Sequence, residues 1–151
     1  MPDTDNPVFQ RAVVALNGGP SDARIVRLVV GLATKGVEVI AVHVVEIDWT
    51  LPLDADIAGR SEEVQRVLDS AEAIAEERKI VMEPVLLQAR DVGAALVDEA
   101  TERSADLLVV GLPYRQRFGG EFDIGRTVPY ILQNAPCAVW VVREPMSEEP
   151  S

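Results

Sequence analysis

Five short apolar runs divide the chain at regular intervals: 12–16, 37–45, 81–87, 106–110 and 138–142. Several are continuous and rich in valine instead of alternating with polar residues. That pattern suits strands buried on both faces of a parallel sheet, because a strand with one wet face reads in period two. Between the runs lie segments of helical period. Ile25, Leu28, Val29 and Leu32 follow one such stripe, and Val64, Val67, Leu68, Ala71, Ile74 and Ala75 follow a longer one. Glu62 and Glu63 put negative charge in the first turn of the second helix, where the dipole favours it. A third helix is predicted to open near Asp91, an N-cap residue, and to bury Val92, Ala95 and Leu96. A fourth runs from about Thr127 to Asn134, stopped by Pro136. Strands alternating with helices give βαβ units. The expected fold is one doubly wound α/β domain, a five-stranded parallel sheet with four helices over residues 9–143, with flexible termini at 1–8 and 144–151.

Composition removes several function classes. Among 151 residues, 25 are acidic and 14 basic, for a formal charge of −11. This disfavours sequence-blind nucleic-acid binding, which needs a basic footprint, and docking on anionic lipid. One cysteine and one histidine leave no internal disulfide, no cysteine-rich zinc site and little room for triad chemistry. No apolar run reaches the length of a membrane span. The start Met1-Pro2-Asp3-Thr4-Asp5-Asn6 is acidic, unlike a secretory signal, so a cytoplasmic domain without membrane insertion is expected. His43 inside an apolar strand reads as a core residue with satisfied nitrogens, and Cys137 as a buried, inert thiol. Asp48, Asp54 and Asp56 read as solvated loop acids, and Trp49, Leu51 and Leu53 as residues packing over a helix.

The candidate site lies after the first and fourth strands, whose carboxyl ends are where open α/β sheets bind ligands. Gly111 to Thr127 reads as strand, glycine-bearing loop, then helix start at or just after Gly125. Glycine lets backbone N–H groups approach an anion, and a helix start adds unpaired donors. Arg115, Arg117 and Arg126 set three guanidinium groups against Glu121 and Asp123. The alternative is that such a loop is ordinary punctuation with solvated charges. The turn Asn17-Gly18-Gly19 after the first strand offers a side chain for a ribose hydroxyl or base edge, beside two glycines that permit close approach. Its alternative is a tight turn that needs no ligand.

From about Arg11 to Arg143 the chain resembles a universal stress protein (UspA-like) domain. The resemblance rests on three stretches: Val14-Ala15-Leu16-Asn17-Gly18-Gly19, Val42-His43-Val44-Val45, and Gly125 to Val142 with its Ala135-Pro136-Cys137 element. It implies a Rossmann-like, adenine nucleotide alpha hydrolase-like fold, an adenine nucleotide ligand (ATP, with Mg²⁺, or AMP or a cyclic nucleotide), and a homodimer joined through the last strand, 138–142. ATP-binding members carry Gly-x2-Gly-x9-Gly-Ser/Thr. Here Gly111 fits the first position and Tyr114 stands at the second. The spacer to Gly125 is ten residues, Arg126 replaces the hydroxyl residue with Thr127 next, and Asn17 replaces an aspartate. Tyr114 keeps the backbone from a phosphate, whereas Arg126 and Arg115 attract one, so the site reads as retuned toward another anion.

The expected site sets Ala15, Asn17, Gly18, Gly19 and Val44 beside base and ribose, and Gly111, Gly125, Arg126 and Thr127 beside phosphate, with Arg115 farther out; the resemblance carries Asn17, Val44, Gly111 and Gly125 by motif position, and the arginines rest on electrostatic grounds. No catalytic residue and no metal ligand is expected. The alternative function is an interaction module without nucleotide. It would serve a membrane-transporter client, because the motif variant also resembles universal stress domains associated with amino-acid permeases. A third reading is a very weak ATPase.

Overall fold

β1 (Arg11–Leu16) is the centre of the sheet, paired in parallel with β2 (Glu38–Glu46) on one side and β4 (Leu107–Leu112) on the other. The computed structural model describes residues 7–52, 61–116 and 119–146. β3 (Met82–Ala89) adds beside β2 and β5 (Ala138–Arg143) beside β4, giving the all-parallel order β3-β2-β1-β4-β5. The expected five strands and four helices are all present. Of the termini predicted at 1–8 and 144–151, residues 1–6 and 147–151 lie outside the described residues, as do Leu53, Asp54, Asp56 and Arg117.

Two helices cover each face. α1 (Asp22–Leu32) and α2 (Ser61–Glu77) pack on the side where Ala12, Val14 and Leu16 point, in a core with Ile25, Val29, Leu68 and Ala71. α3 (Val92–Glu102) and α4 (Thr127–Asn134) pack on Val13, Ile40, Val42 and Leu108, with Leu96 and Ile131. Alternate residues of β1 thus enter opposite cores, which is why its valines run without a polar break. Asp91 caps α3 as expected, its carboxylate accepting from the Ala94 N–H at 3.1 Å.

Two expectations shift. In α1 the buried set is Ile25, Val26, Val29 and Val30, while Leu28 and Leu32 are 42% and 40% exposed. The shorter valines turn inward and let the helix approach the sheet closely. β3 is an edge strand, wet along much of its length, and Val81 just before it is 82% exposed. Pro84 fits there, since an edge strand tolerates a missing ladder donor.

The amino ends of the strands are tied by charge. Arg11 makes a two-pronged contact with Glu38, at 3.0 and 3.1 Å, and donates to the Arg103 carbonyl. Arg103 in turn holds Glu83 at 2.7 Å and Glu99 at 2.8 Å. Asp106 accepts from the N–H groups of Gln10 and Arg11. The opposite end of the sheet is left to the loops.

Candidate functional site

The strand order reverses between β1 and β4, so the loops leaving their carboxyl ends diverge and open a crevice between them. A cleft of about 410 Å³ lies there, within the usual range for small-molecule sites. It gathers Ala15 and Asn17 from the end of β1, Val44 from β2, Gly111 and Arg115 from β4 and its loop, and Gly125, Arg126 and Thr127 from the start of α4. Eight of the ten residues singled out in the sequence therefore share one wall system. Gly18 and Gly19 do not line it. They border a neighbouring hollow against α1 and α2, because the positive φ of Gly18 turns the chain away from the cleft.

Gly111 is explained by packing as much as by the cleft. A Cβ there would meet Ile25 Cδ1 at 2.9 Å, so glycine lets β4 and α1 come together. Gly125 has φ +71° and open space around its missing Cβ, so its need is conformational. The Asn17 Oδ1 accepts from the Gly19 N–H at 2.7 Å, which closes the turn, and Asn17 itself lines the cleft.

Carboxylates already sit on the backbone donors around the cleft. Asp22, at the start of α1, accepts from the N–H groups of Asn17 and Gly18 at 3.1 and 2.8 Å. Burial pushes its pKa up, and those two N–H bonds, with His43 nearby, offset part of the rise. Asp123 accepts from the Gly125 N–H at 3.1 Å. Glu144, just past β5, accepts from the Tyr114 N–H at 3.3 Å and from Ser21 Oγ at 2.5 Å. Of these, Asp22 itself lines the cleft, and so does Glu46, whose carboxylate stands 4.0 Å from the Arg126 guanidinium. Arg126 is 83% exposed on its side chain, so that pair contributes little. Sequence reasoning missed Asp22, Glu46 and Glu144. The signal for Asp22 was an acid in a helix's first turn five residues after Asn17, whereas nothing local marks Glu144.

Tyr114 anchors the loop. Its ring stacks on Phe122 with centroids 5.3 Å apart, and the Arg143 guanidinium lies 4.9 Å from its centroid on β5. Gln116 and Phe122 pair across the loop, and the Asp123 N–H donates to the Arg115 carbonyl at 2.8 Å.

The remaining candidates fall outside the cleft. His43 is buried, and its Nδ1–H donates to the Leu16 carbonyl at 3.1 Å, as a core histidine should. Cys137 is half-buried instead of fully buried; burial, then Asp106, pushes its pKa up and keeps it a thiol. Trp49 is 78% exposed instead of packing on a helix, with the Arg90 guanidinium 5.0 Å from its ring. Arg90 also donates to the Asp48 and Leu51 carbonyls, which fixes that loop from below. Among the described residues no helix is long and apolar enough to cross a membrane.

The comparisons with known proteins agree with this architecture. The model of the Universal stress protein family matches residues 9–143. Two curated relatives, both a Sensor protein KdpD from strains of Mycobacterium tuberculosis, are 31% identical over 143 residues, which is 94% of this chain. The chain spans 15% of the length of those relatives. Among solved structures, a universal stress protein from Archaeoglobus fulgidus in complex with dAMP is similar at TM-score 0.66 and 24% identity, over 89% of this chain and 98% of that one. A universal stress protein in complex with cAMP is similar at TM-score 0.65 and 20% identity, over 89% and 97%. A family member from Arabidopsis thaliana with AMP bound is similar at TM-score 0.64 and 16% identity, over 94% and 97%.

Proposed function

Given that the chain belongs to the universal stress protein family, we propose that it is a regulatory module that binds an adenine nucleotide in the cleft between β1 and β4. The observation that carries this reading is the convergence of Ala15, Asn17, Val44, Gly111, Arg115, Gly125, Arg126 and Thr127, drawn from five separate elements and loops, on one cleft. Ala15, Val44 and the neighbouring Leu96 and Val128 supply apolar surface for a base. The Asn17 amide can donate to a ribose oxygen or base edge. Arg126, Arg115 and the start of α4 supply positive charge for phosphate. Three solved relatives of the same fold hold dAMP, cAMP or AMP. No side chain is assigned a catalytic role, and binding would act through shape or partner contacts in the cytoplasm. A homodimer through the exposed edge of β5, 138–142, belongs to the same proposal, since an open edge can pair with a second copy.

A thermal-shift panel of AMP, cyclic AMP, cyclic di-AMP and ATP, each with and without Mg²⁺, tests it. A ligand at 100 times its dissociation constant adds about 2.7 kcal/mol, which raises Tm by roughly 5–10 °C for a domain this size. Arg126→Ala should reduce the shift. No shift with any nucleotide overturns the reading.

A second reading is an interaction module without nucleotide, acting on a membrane sensor or transporter. The carboxylates resting on the Asn17, Gly18, Tyr114 and Gly125 amides favour it, because they satisfy the turn and loop without a ligand. The likeness to the Sensor protein KdpD over 94% of the chain supports a regulatory role of this kind. The same panel separates the two.

A further inference from the structure

Resting on the nucleotide reading above, we infer that the cleft takes a nucleotide with a single phosphate and discriminates against a triphosphate, with Asp22 and Asp123 occupying backbone donors of its lining and Glu144 one just beyond it. An anion bound by a loop is held by backbone N–H groups aimed at it. Two residues that line the cleft have theirs already engaged by the protein's own acids, Asn17 by Asp22 and Gly125 by Asp123, and just beyond the lining Gly18 is held by the same Asp22 and Tyr114 by Glu144. To reach them, a polyphosphate would have to displace an ionised side chain and lie beside it.

Among the described residues the donors left are few and close together. Arg126 opens α4 with no side-chain cap, and the first turn then runs Thr127, Val128, Pro129. Proline has no N–H, so the helix start offers the amides of Thr127 and Val128, with the Thr127 hydroxyl and the Arg126 and Arg115 guanidinium groups beside them. That set matches the oxygens of one phosphate. Charge gives the same answer independently. Among the described residues the lining carries two guanidinium groups, Arg115 and Arg126, and two carboxylates, Asp22 and Glu46, which balance. A single phosphate brings a charge of about −1.5 to −2 as a monoester at pH 7, less as a cyclic diester. Each added phosphate brings more charge toward Asp22 and Glu46, and juxtaposed like charges are what specificity commonly uses to exclude a competitor.

Isothermal titration with AMP, cyclic AMP and Mg²⁺-ATP tests this on the whole chain. AMP or cyclic AMP should bind at least about tenfold more tightly than ATP, and the AMP and cyclic AMP arms tell monoester from diester. Asp22→Asn and Glu144→Ala should tighten ATP more than the single-phosphate ligands, narrowing the ratio by about threefold or more. Glu144→Gln removes the charge while keeping an acceptor for Ser21 and Tyr114, so the ratio can be read even where Glu144→Ala does not fold. ATP binding as tightly as AMP to the unaltered protein overturns the inference and leaves the nucleotide reading standing. A ratio unchanged in every variant overturns the part given to these acids. Failure of all three nucleotides to bind overturns the nucleotide reading, and this inference with it.

Discussion

Ser21 and Glu144, 123 positions apart in the chain, share a 2.5 Å hydrogen bond that ties the start of α1 to the segment leaving β5. The same carboxylate holds the Tyr114 N–H, so one acid fastens the two loops that frame the cleft. A hydrogen bond to a charged, half-buried group contributes more than a neutral one. Ser21→Ala should therefore cost about 1.5–3 kcal/mol in urea unfolding, whereas an exposed serine elsewhere would change stability by only a few tenths. A loss below that range would show that the contact does not hold the loops.

Gly125 stands at φ +71° with nothing near its absent Cβ. Alanine there meets no clash and pays only for the left-handed backbone, about 1–2 kcal/mol. For a domain of this size that lowers Tm by roughly 2–8 °C. Gly125→Asn should lose less, since asparagine tolerates this region. Equal losses for Ala and Asn would point to a lost ligand or loop contact instead of backbone strain.

The acid limb of stability is set at the amino ends of the strands. Arg11 holds the Glu38 carboxyl below its ordinary range, and Arg103 does the same for Glu83. A carboxylate whose folded pKa lies below its unfolded value contributes above the unfolded value and loses that contribution as pH falls through the folded one. The stability gap between the unaltered protein and Glu83→Gln should thus be present at neutral pH and close as pH drops below the usual glutamate range. Melting curves across that range check the sign. Both groups are exposed, so the gap should be small and should shrink in salt.

Asp22 runs the other way. Its pKa is raised by burial, so the folded protein holds that proton to higher pH than the unfolded chain does, and its ionisation weighs against the native state above that pH. An anion placed in the cleft it lines raises the pKa further. Cyclic AMP affinity should accordingly rise as pH falls toward the carboxylate range, with proton uptake on binding. The facing groups are His43 beside Asp22, and Arg115, Arg126 and Glu46 across the cleft. Cyclic AMP is the right probe because its diester does not titrate in this window. In Asp22→Asn the pH dependence should flatten; an unchanged slope would show that Asp22 does not set it.

Much of the fold was legible because buried parallel strands and capped helices write short-range signals. The valine runs, Asp91 and the stop at Pro136 each mark an element locally. The β3 edge was harder to see, since its apolar run resembles that of a buried strand and only Pro84 hints at an open side. The α1 stripe was read one step off because leucine and valine score alike in periodicity, although their lengths decide which can face a nearby sheet.

For the site, the sequence by itself determined that glycines, arginines and an asparagine would stand at the carboxyl ends of β1 and β4, because which loop follows which strand is written in local pattern. The tertiary structure alone decided which of them meet. It turned Gly18 and Gly19 away, made Tyr114 a stacking anchor between Phe122 and Arg143, and brought Glu144 back onto an amide thirty residues earlier. The physical reason is that a carboxylate's effect on an anion site depends on which N–H it occupies. That is a distance in space, and no spacing along the chain encodes it.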